Sequence, residues 1–163
     1  MFSFLKKKEE VVSIPAVADT DIVAIADAKM IPLETVKDEV FAQKMMGDGI
    51  AFELKDDTVY APCNGSLDVV FPTGHAFGLT MKSGVGLMIH IGINTVDSNG
   101  DGFKTLVKQG DNVKAGTPLV KVDMAKLKAK YDMTTMLIVT DPADQEVNFI
   151  DCADVTMGEK INK

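Results

Sequence analysis

Short apolar stretches separated by turn-forming residues run through most of this sequence. Four of them, at 21–25, 49–54, 58–61 and 67–71, are rich in β-branched or aromatic residues and are mostly bounded by Gly, Pro, Asp or Asn. Such stretches are typical of the strands of an all-β sandwich or barrel. Helical periodicity is confined to short parts of the chain, which predicts only short helical turns within 36–46 and 124–130.

The segment 86–94 alternates most clearly, and residues two apart on a strand share a face. One face is aliphatic and is expected to lie toward the core: Leu87, Ile89, Ile91 and Ile93. The other face carries Met88, His90, Gly92 and Asn94. The pattern therefore predicts that the His90 imidazole lies on the face away from the main core, with little side-chain cover from its glycine neighbour.

Length and charge narrow the class of protein. The chain has 163 residues and a net charge of −7, with Lys as its only strongly basic residue type. No apolar run approaches the roughly 18 residues of a membrane-spanning helix, and nucleic-acid binding is disfavoured because it usually requires a basic surplus. We expect a cytoplasmic protein with a flexible N-terminal tail at 1–18 and a single domain at 19–163.

The two histidines are the candidate reactive groups. A neutral imidazole can act as a nucleophile or bind a metal when one ring nitrogen is fixed as a donor and the other is free. The Gly92 carbonyl is a candidate to hold the Nδ1 proton of His90, which would leave Nε2 bare. His75 follows a turn, with the Thr73 hydroxyl nearby. If the rings meet, they could act as nucleophile and charge stabiliser or as two ligands of an incomplete Zn site; the alternative is a half-buried structural histidine.

Seven segments, in order from about residue 21 to the end, resemble the glucose-type enzyme IIA family of the bacterial phosphoenolpyruvate-dependent sugar phosphotransferase system. The most specific is Leu87-Met88-Ile89-His90-Ile91-Gly92-Ile93-x-Thr95-Val96. The others are Lys37-Asp38-Glu39-Val40-Phe41-Ala42, Gly47-Asp48-Gly49-Ile50-Ala51, Tyr60-Ala61-Pro62-x-x-Gly65, Thr73-x-His75-Ala76-Phe77, Gly100-x-Gly102-Phe103 and Gly110-Asp111-x-Val113-x-x-Gly116.

This resemblance implies a compact antiparallel β-sandwich with barrel-like character that carries a phosphoryl group on a histidine. The phosphocarrier protein HPr would donate the group to His90, which would pass it to a cysteine of the IIB domain of a membrane sugar permease. His75 and Thr73 would stabilise the phosphoryl group beside it, and Gly92 would set the tautomer of His90. No cofactor is required, and contact with the membrane is expected only through the permease.

The resemblance also implies an apolar docking ring around His90. Its members would be Phe41, Met45, Met46, Phe71, Met88 and Val96, surrounded by the acidic residues Asp38, Glu39, Asp48 and Asp97. Methionine suits a surface that must fit partners of different shape. Two other functions stay open: a module in which His75 and His90 hold Zn with a ligand from a partner, and a regulator that binds enzymes or permeases when unphosphorylated.

Overall fold

The computed structural model describes residues 14–163. The strands of this part of the chain are β1 (Ala28–Pro32), β2 (Asp48–Leu54), β3 (Thr58–Tyr60), β4 (Gly65–Val70), β5 (Ala76–Met81), β6 (Gly86–Ile91), β7 (Phe103–Thr105), β8 (Asn112–Val113), β9 (Pro118–Val122), β10 (Thr135–Asp141) and β11 (Asp154–Val155). The helices are α1 (Glu39–Ala42) and α2 (Met124–Lys128), with 3₁₀ turns at Leu33–Thr35 and Thr95–Ser98.

The strands form two antiparallel sheets. The larger has the order β11-β1-β2-β10-β6-β5-β4-β8, and the smaller has the order β3-β9-β7. The main core contains side chains from both, such as Phe52 and Leu137 from the larger sheet and Val59 and Val120 from the smaller. The predicted all-β, antiparallel sandwich architecture is therefore confirmed, with short helical turns within both predicted ranges.

The centre of the larger sheet is covered on both faces. In β10, Leu137 belongs to the main core, whereas Met136 and Ile138 belong to a second, smaller apolar cluster. The 3₁₀ turn Leu33–Thr35 and α1 pack against this strand and contribute Leu33 and Phe41 to the smaller cluster. A strand covered on both faces needs a continuous apolar run rather than an alternating one.

Two local predictions were wrong. The stretch 21–25, predicted as a strand, forms none. Residues 22–25 are buried, and Val23 makes a single bridge, to Lys160 near the other end of the chain. Ile93 does not continue the core face of β6, because the chain turns at Gly92, where φ is +79°. Ile93 packs instead in the smaller cluster, against which Met88 also lies.

Most of the predicted tail, residues 1–13, lies outside the described residues. The described part touches the domain: the Ile14 side chain lies against Gly116 and Gly158. The Val17 carbonyl accepts a hydrogen bond of 3.0 Å from Asn64 Nδ2. The domain boundary at residue 18 stays a prediction. Among the described residues, no helix is long and apolar enough to cross a membrane.

Candidate functional site

Strand pairing brings the two histidines together. Ala76 of β5 lies opposite His90 of β6, and the Ile91 amide donates a 2.7 Å hydrogen bond to the His75 carbonyl. The imidazole centroids are 5.1 Å apart, and the ring planes meet at 82°. The predicted meeting of the two rings is therefore what the structure shows, and the small Ala76 side chain beside His90 leaves room for it.

The His90 ring is held by the backbone just beyond its own strand. Its Nδ1 lies 2.9 Å from the Gly92 carbonyl oxygen. A carbonyl accepts but cannot donate, so the neutral ring carries its proton on Nδ1 and leaves the lone pair on Nε2. Within residues 14–163, no hydrogen bond involves that Nε2.

The His75 ring is held by a hydroxyl instead. Thr73 Oγ1 lies 2.5 Å from His75 Nδ1. His75 is buried, with only 3% of its surface exposed. When the hydroxyl donates to Nδ1, the proton of the neutral ring is on Nε2. The two imidazoles would then offer complementary groups, a bare Nε2 on His90 and an Nε2–H on His75.

Both rings are neutral at physiological pH. Burial, and then the proximity of His90, lowers the pKa of His75 to about 4. Burial also lowers the pKa of His90, an effect opposed by the hydrogen bond to Gly92 and by the charge of Asp38. A neutral His90 keeps its lone pair available for attack.

The six predicted docking-ring residues differ in exposure. Four are exposed: Met45 (70%), Val96 (49%), Met46 (40%) and Phe71 (40%). Met88 is half-buried, on the same face of β6 as His90. Phe41 is buried, at 6% exposure, and its contact with a docking partner stays a prediction. Its ring lies 5.0 Å from His90 and forms a wall of the site.

Phe71 connects the exposed residues to the histidines, because its ring centroid lies 5.3 Å from that of His75. Val40, 42% exposed in α1, is a surface residue that the sequence interpretation missed. Its exposure accompanies the burial of Phe41, since neighbouring residues on a helix point in different directions. Met136, opposite His90 on β10 and fully buried, was also missed.

The donor set is incomplete for a metal. His75 and His90 supply two imidazoles, whereas structural and catalytic Zn sites in proteins use three or four protein ligands. Within residues 14–163, no group of three or more His, Cys, Asp or Glu side chains is placed to hold an ion. Zn could bind the pair only if another molecule supplied further ligands.

The fold and the site together describe an antiparallel β-sandwich protein with two paired histidines. Comparisons with known proteins identify its family. Residues 20–145 match the family model described as phosphoenolpyruvate-dependent sugar phosphotransferase system, EIIA 1. The chain belongs to this family and is a phosphotransferase component of that system.

Two relatives support the assignment. The chain is 42% identical over 159 residues to the PTS system glucose-specific EIICBA component of Staphylococcus saprophyticus; the match covers 97% of this chain and 24% of that protein. This chain thus spans about a quarter of the length of that relative. The solved glucose permease IIA from Mycoplasma capricolum superposes with a TM-score of 0.84 at 36% identity, covering 87% of this chain and 93% of the other.

Proposed function

We propose that this chain is a phosphohistidine carrier, with His90 Nε2 as the atom that accepts the phosphoryl group. The observation that carries this proposal is the hydrogen bond between His90 Nδ1 and the Gly92 carbonyl. It directs the lone pair of a neutral imidazole to Nε2, away from the backbone. A phosphoryl acceptor needs such a lone pair and a partner that can approach in line with it.

The transfer requires two displacements at phosphorus. In the first, Nε2 of His90 forms a bond to phosphorus as the bond to the phosphorylated histidine of HPr breaks, and the HPr imidazole keeps the bonding electrons. In the second, the cysteine thiolate of a IIB domain forms a sulfur–phosphorus bond as the Nε2–phosphorus bond breaks. His90 is thereby restored to its neutral form.

His75 would stabilise the charge spread over the phosphoryl oxygens. With Thr73 donating to its Nδ1, the ring presents Nε2–H beside His90, where it can donate to a phosphoryl oxygen. Catalysis of phosphoryl transfer depends mainly on such positioning and electrostatic stabilisation. The exposed side chains of Met45, Met46, Phe71 and Val96 would exclude water when HPr or IIB docks.

Replacing each histidine by alanine tests these roles. After incubation with phosphoenolpyruvate, enzyme I and HPr, His90→Ala should take up no phosphate. The matched variant His75→Ala should still be labelled but should pass the group to IIB much more slowly. Labelling that survives in His90→Ala would refute the assignment of the acceptor.

We propose a cytoplasmic site of action, a IIB domain of a sugar permease as acceptor, and binding of regulated enzymes or permeases in the unphosphorylated state. We propose that Zn binds only when it is shared with such a partner, because His75 and His90 alone supply two ligands, which are too few for a Zn site. Zn bound stoichiometrically by the isolated protein would contradict that restriction.

A further inference from the structure

Thr95 lies next to the site, three residues after Gly92. It is the first residue of the 3₁₀ turn Thr95–Ser98 and is fully buried. Its hydroxyl donates a hydrogen bond of 2.5 Å to the Ile91 carbonyl. This bond closes the backbone loop that contains Gly92, whose carbonyl holds His90.

The Thr95 methyl group also restrains Gly92 directly. A β-carbon built on Gly92 would lie 2.5 Å from Thr95 Cγ2 and 2.9 Å from Met133 Sδ. In addition, the Gly92 and Ile93 amides donate to the carbonyls of Thr134 (3.1 Å) and Asp132 (2.8 Å). Gly92 is therefore held between the segment that leads into β10 and Thr95.

We propose that Thr95 is a positioning residue that keeps His90 in its Nδ1–H tautomer by fixing the direction of the Gly92 carbonyl. The effect of Thr95 on phosphoryl transfer rests on the proposed function, whereas its effect on the His90 tautomer does not. The carbonyl direction depends on the backbone dihedral angles at Gly92, and glycine restricts those angles least. Without the Thr95 hydroxyl, the Ile91 carbonyl loses a hydrogen-bond partner, and the turn at Gly92 is held only by the bonds of the Gly92 and Ile93 amides. The Gly92 carbonyl can then tilt away from His90 Nδ1, and the Nε2–H tautomer gains population.

The test compares Thr95→Val, which removes the hydroxyl but keeps the branched shape, with Thr95→Ser, which keeps the hydroxyl. The readout is the pair of ¹⁵N chemical shifts of the His90 ring, recorded well above the pKa of a free imidazole. The wild type and Thr95→Ser should show a protonated Nδ1 and a bare Nε2. In Thr95→Val the two shifts should converge as the tautomers mix.

Thr58→Val is the matched control, because Thr58 is also a buried threonine, in β3 of the smaller sheet. It should leave the His90 shifts unchanged even if stability falls. If Thr95→Val does not fold, Thr95→Ala provides the same comparison with Thr95→Ser as its rescue. A folded variant without the hydroxyl that keeps the Nδ1–H tautomer would overturn the proposal.

The rate of labelling by phosphorylated HPr links the tautomer to function. Losing the net worth of one hydrogen bond corresponds to about a fivefold change in an equilibrium, so Thr95→Val should be labelled more slowly, by up to about fivefold. Thr95→Ser should recover most of the rate. If the wild type is never labelled, the proposed function is refuted, but the ¹⁵N shifts still test the role of Thr95 in setting the tautomer. An unchanged labelling rate in Thr95→Val would contradict the role of Thr95 in transfer.

Discussion

Gly92 has the left-handed φ of +79°, and side chains of its neighbours fill the space that a β-carbon would need. Gly92→Ala should therefore destabilise the fold by about 1–3 kcal/mol, through backbone strain and overpacking. It should also mix the His90 tautomers, because the carbonyl would have to move. Chemical denaturation and the ¹⁵N shifts of the ring measure the two effects.

Gly110→Ala is the control for Gly92→Ala. Gly110 also has positive φ, +95°, but no atom lies within 4 Å of its β-carbon position. This variant should show only the cost of the backbone conformation, about 1 kcal/mol. Equal losses of stability in the two variants would contradict the tight packing around Gly92.

His75 provides a prediction on pH. Its pKa falls to about 4 in the folded protein, from an ordinary value of 6.5, mainly because the ring is buried. Between these values the unfolded state binds the additional proton, so stability is highest above about pH 6.5 and falls as the pH drops toward 4. The loss should be about 1–3 kcal/mol, allowing for partial solvent screening.

The comparison variant is His75→Gln, which cannot titrate at this position. The free energy of unfolding, measured by urea denaturation from neutral pH to pH 4, should fall less steeply in this variant than in the wild type. Because the carboxylates are common to both proteins, the difference between the two curves isolates the imidazole. Parallel curves would show that the His75 pKa is not depressed.

At the scale of elements, α1 places Phe41 against His90. Its first turn is capped by the Asp38 carboxylate, which accepts from the Val40 amide at 2.9 Å. Its end is closed by Lys44 at φ +59°, and the Lys44 amine forms 3.2 Å ion pairs with Glu34 and Asp48. The ion pairs tie the end of α1 to the preceding 3₁₀ turn and to the start of β2.

Lys44→Ala and Lys44→Gly separate the two roles of this residue. Both remove the ion pairs, but only glycine relieves the left-handed backbone. Lys44→Gly should therefore melt a few degrees higher than Lys44→Ala in thermal unfolding. High salt should narrow the gap between wild type and Lys44→Ala, since these pairs are exposed. Equal melting temperatures of the two variants would rule out backbone strain at Lys44.

Sequence pattern predicts strands better than it predicts where they end. The alternation around His90 identifies β6 and its core face correctly for Leu87, Ile89 and Ile91, but not for Ile93. The dihedral angle at Gly92 decides that end, and a glycine in sequence does not disclose which region of φ it occupies. Residues 21–25 have strand composition, yet the backbone hydrogen bonds of 22–25 are divided between two separate segments, 60–62 and 158–161.

The reactive residues of the site were predictable from the sequence, but their tertiary surroundings were not. The rarity of histidine and the family resemblance single out His75 and His90, and the i, i+2 spacing suggests the contact with the Gly92 carbonyl. The register that places Ala76 opposite His90, and the fold of α1 that buries Phe41, are tertiary features. Thr95 was missed because a hydroxyl bonded to the backbone four residues earlier has no distinct sequence signal.

At the scale of the whole molecule, the core between the two sheets encloses one of the two cysteines. Burial raises the pKa of the Cys63 thiol to about 12, and this residue is fully buried, whereas Cys152 is exposed. A thiol reagent should modify Cys152 in the native protein and Cys63 only as fast as the fold opens. Mass spectrometry over time measures both rates, and fast modification of Cys63 would contradict a closed core.

The proposed phosphoryl acceptor is a single atom, Nε2 of His90. The most direct measurement is to phosphorylate the protein with phosphoenolpyruvate, enzyme I and HPr and to locate the phosphate by ³¹P and ¹⁵N NMR together with peptide mass mapping. We expect one acid-labile, base-stable phosphoryl group, on Nε2 of His90. Phosphate on Nδ1 of His90 or on any other residue, or no phosphate when enzyme I and HPr are active, would contradict it.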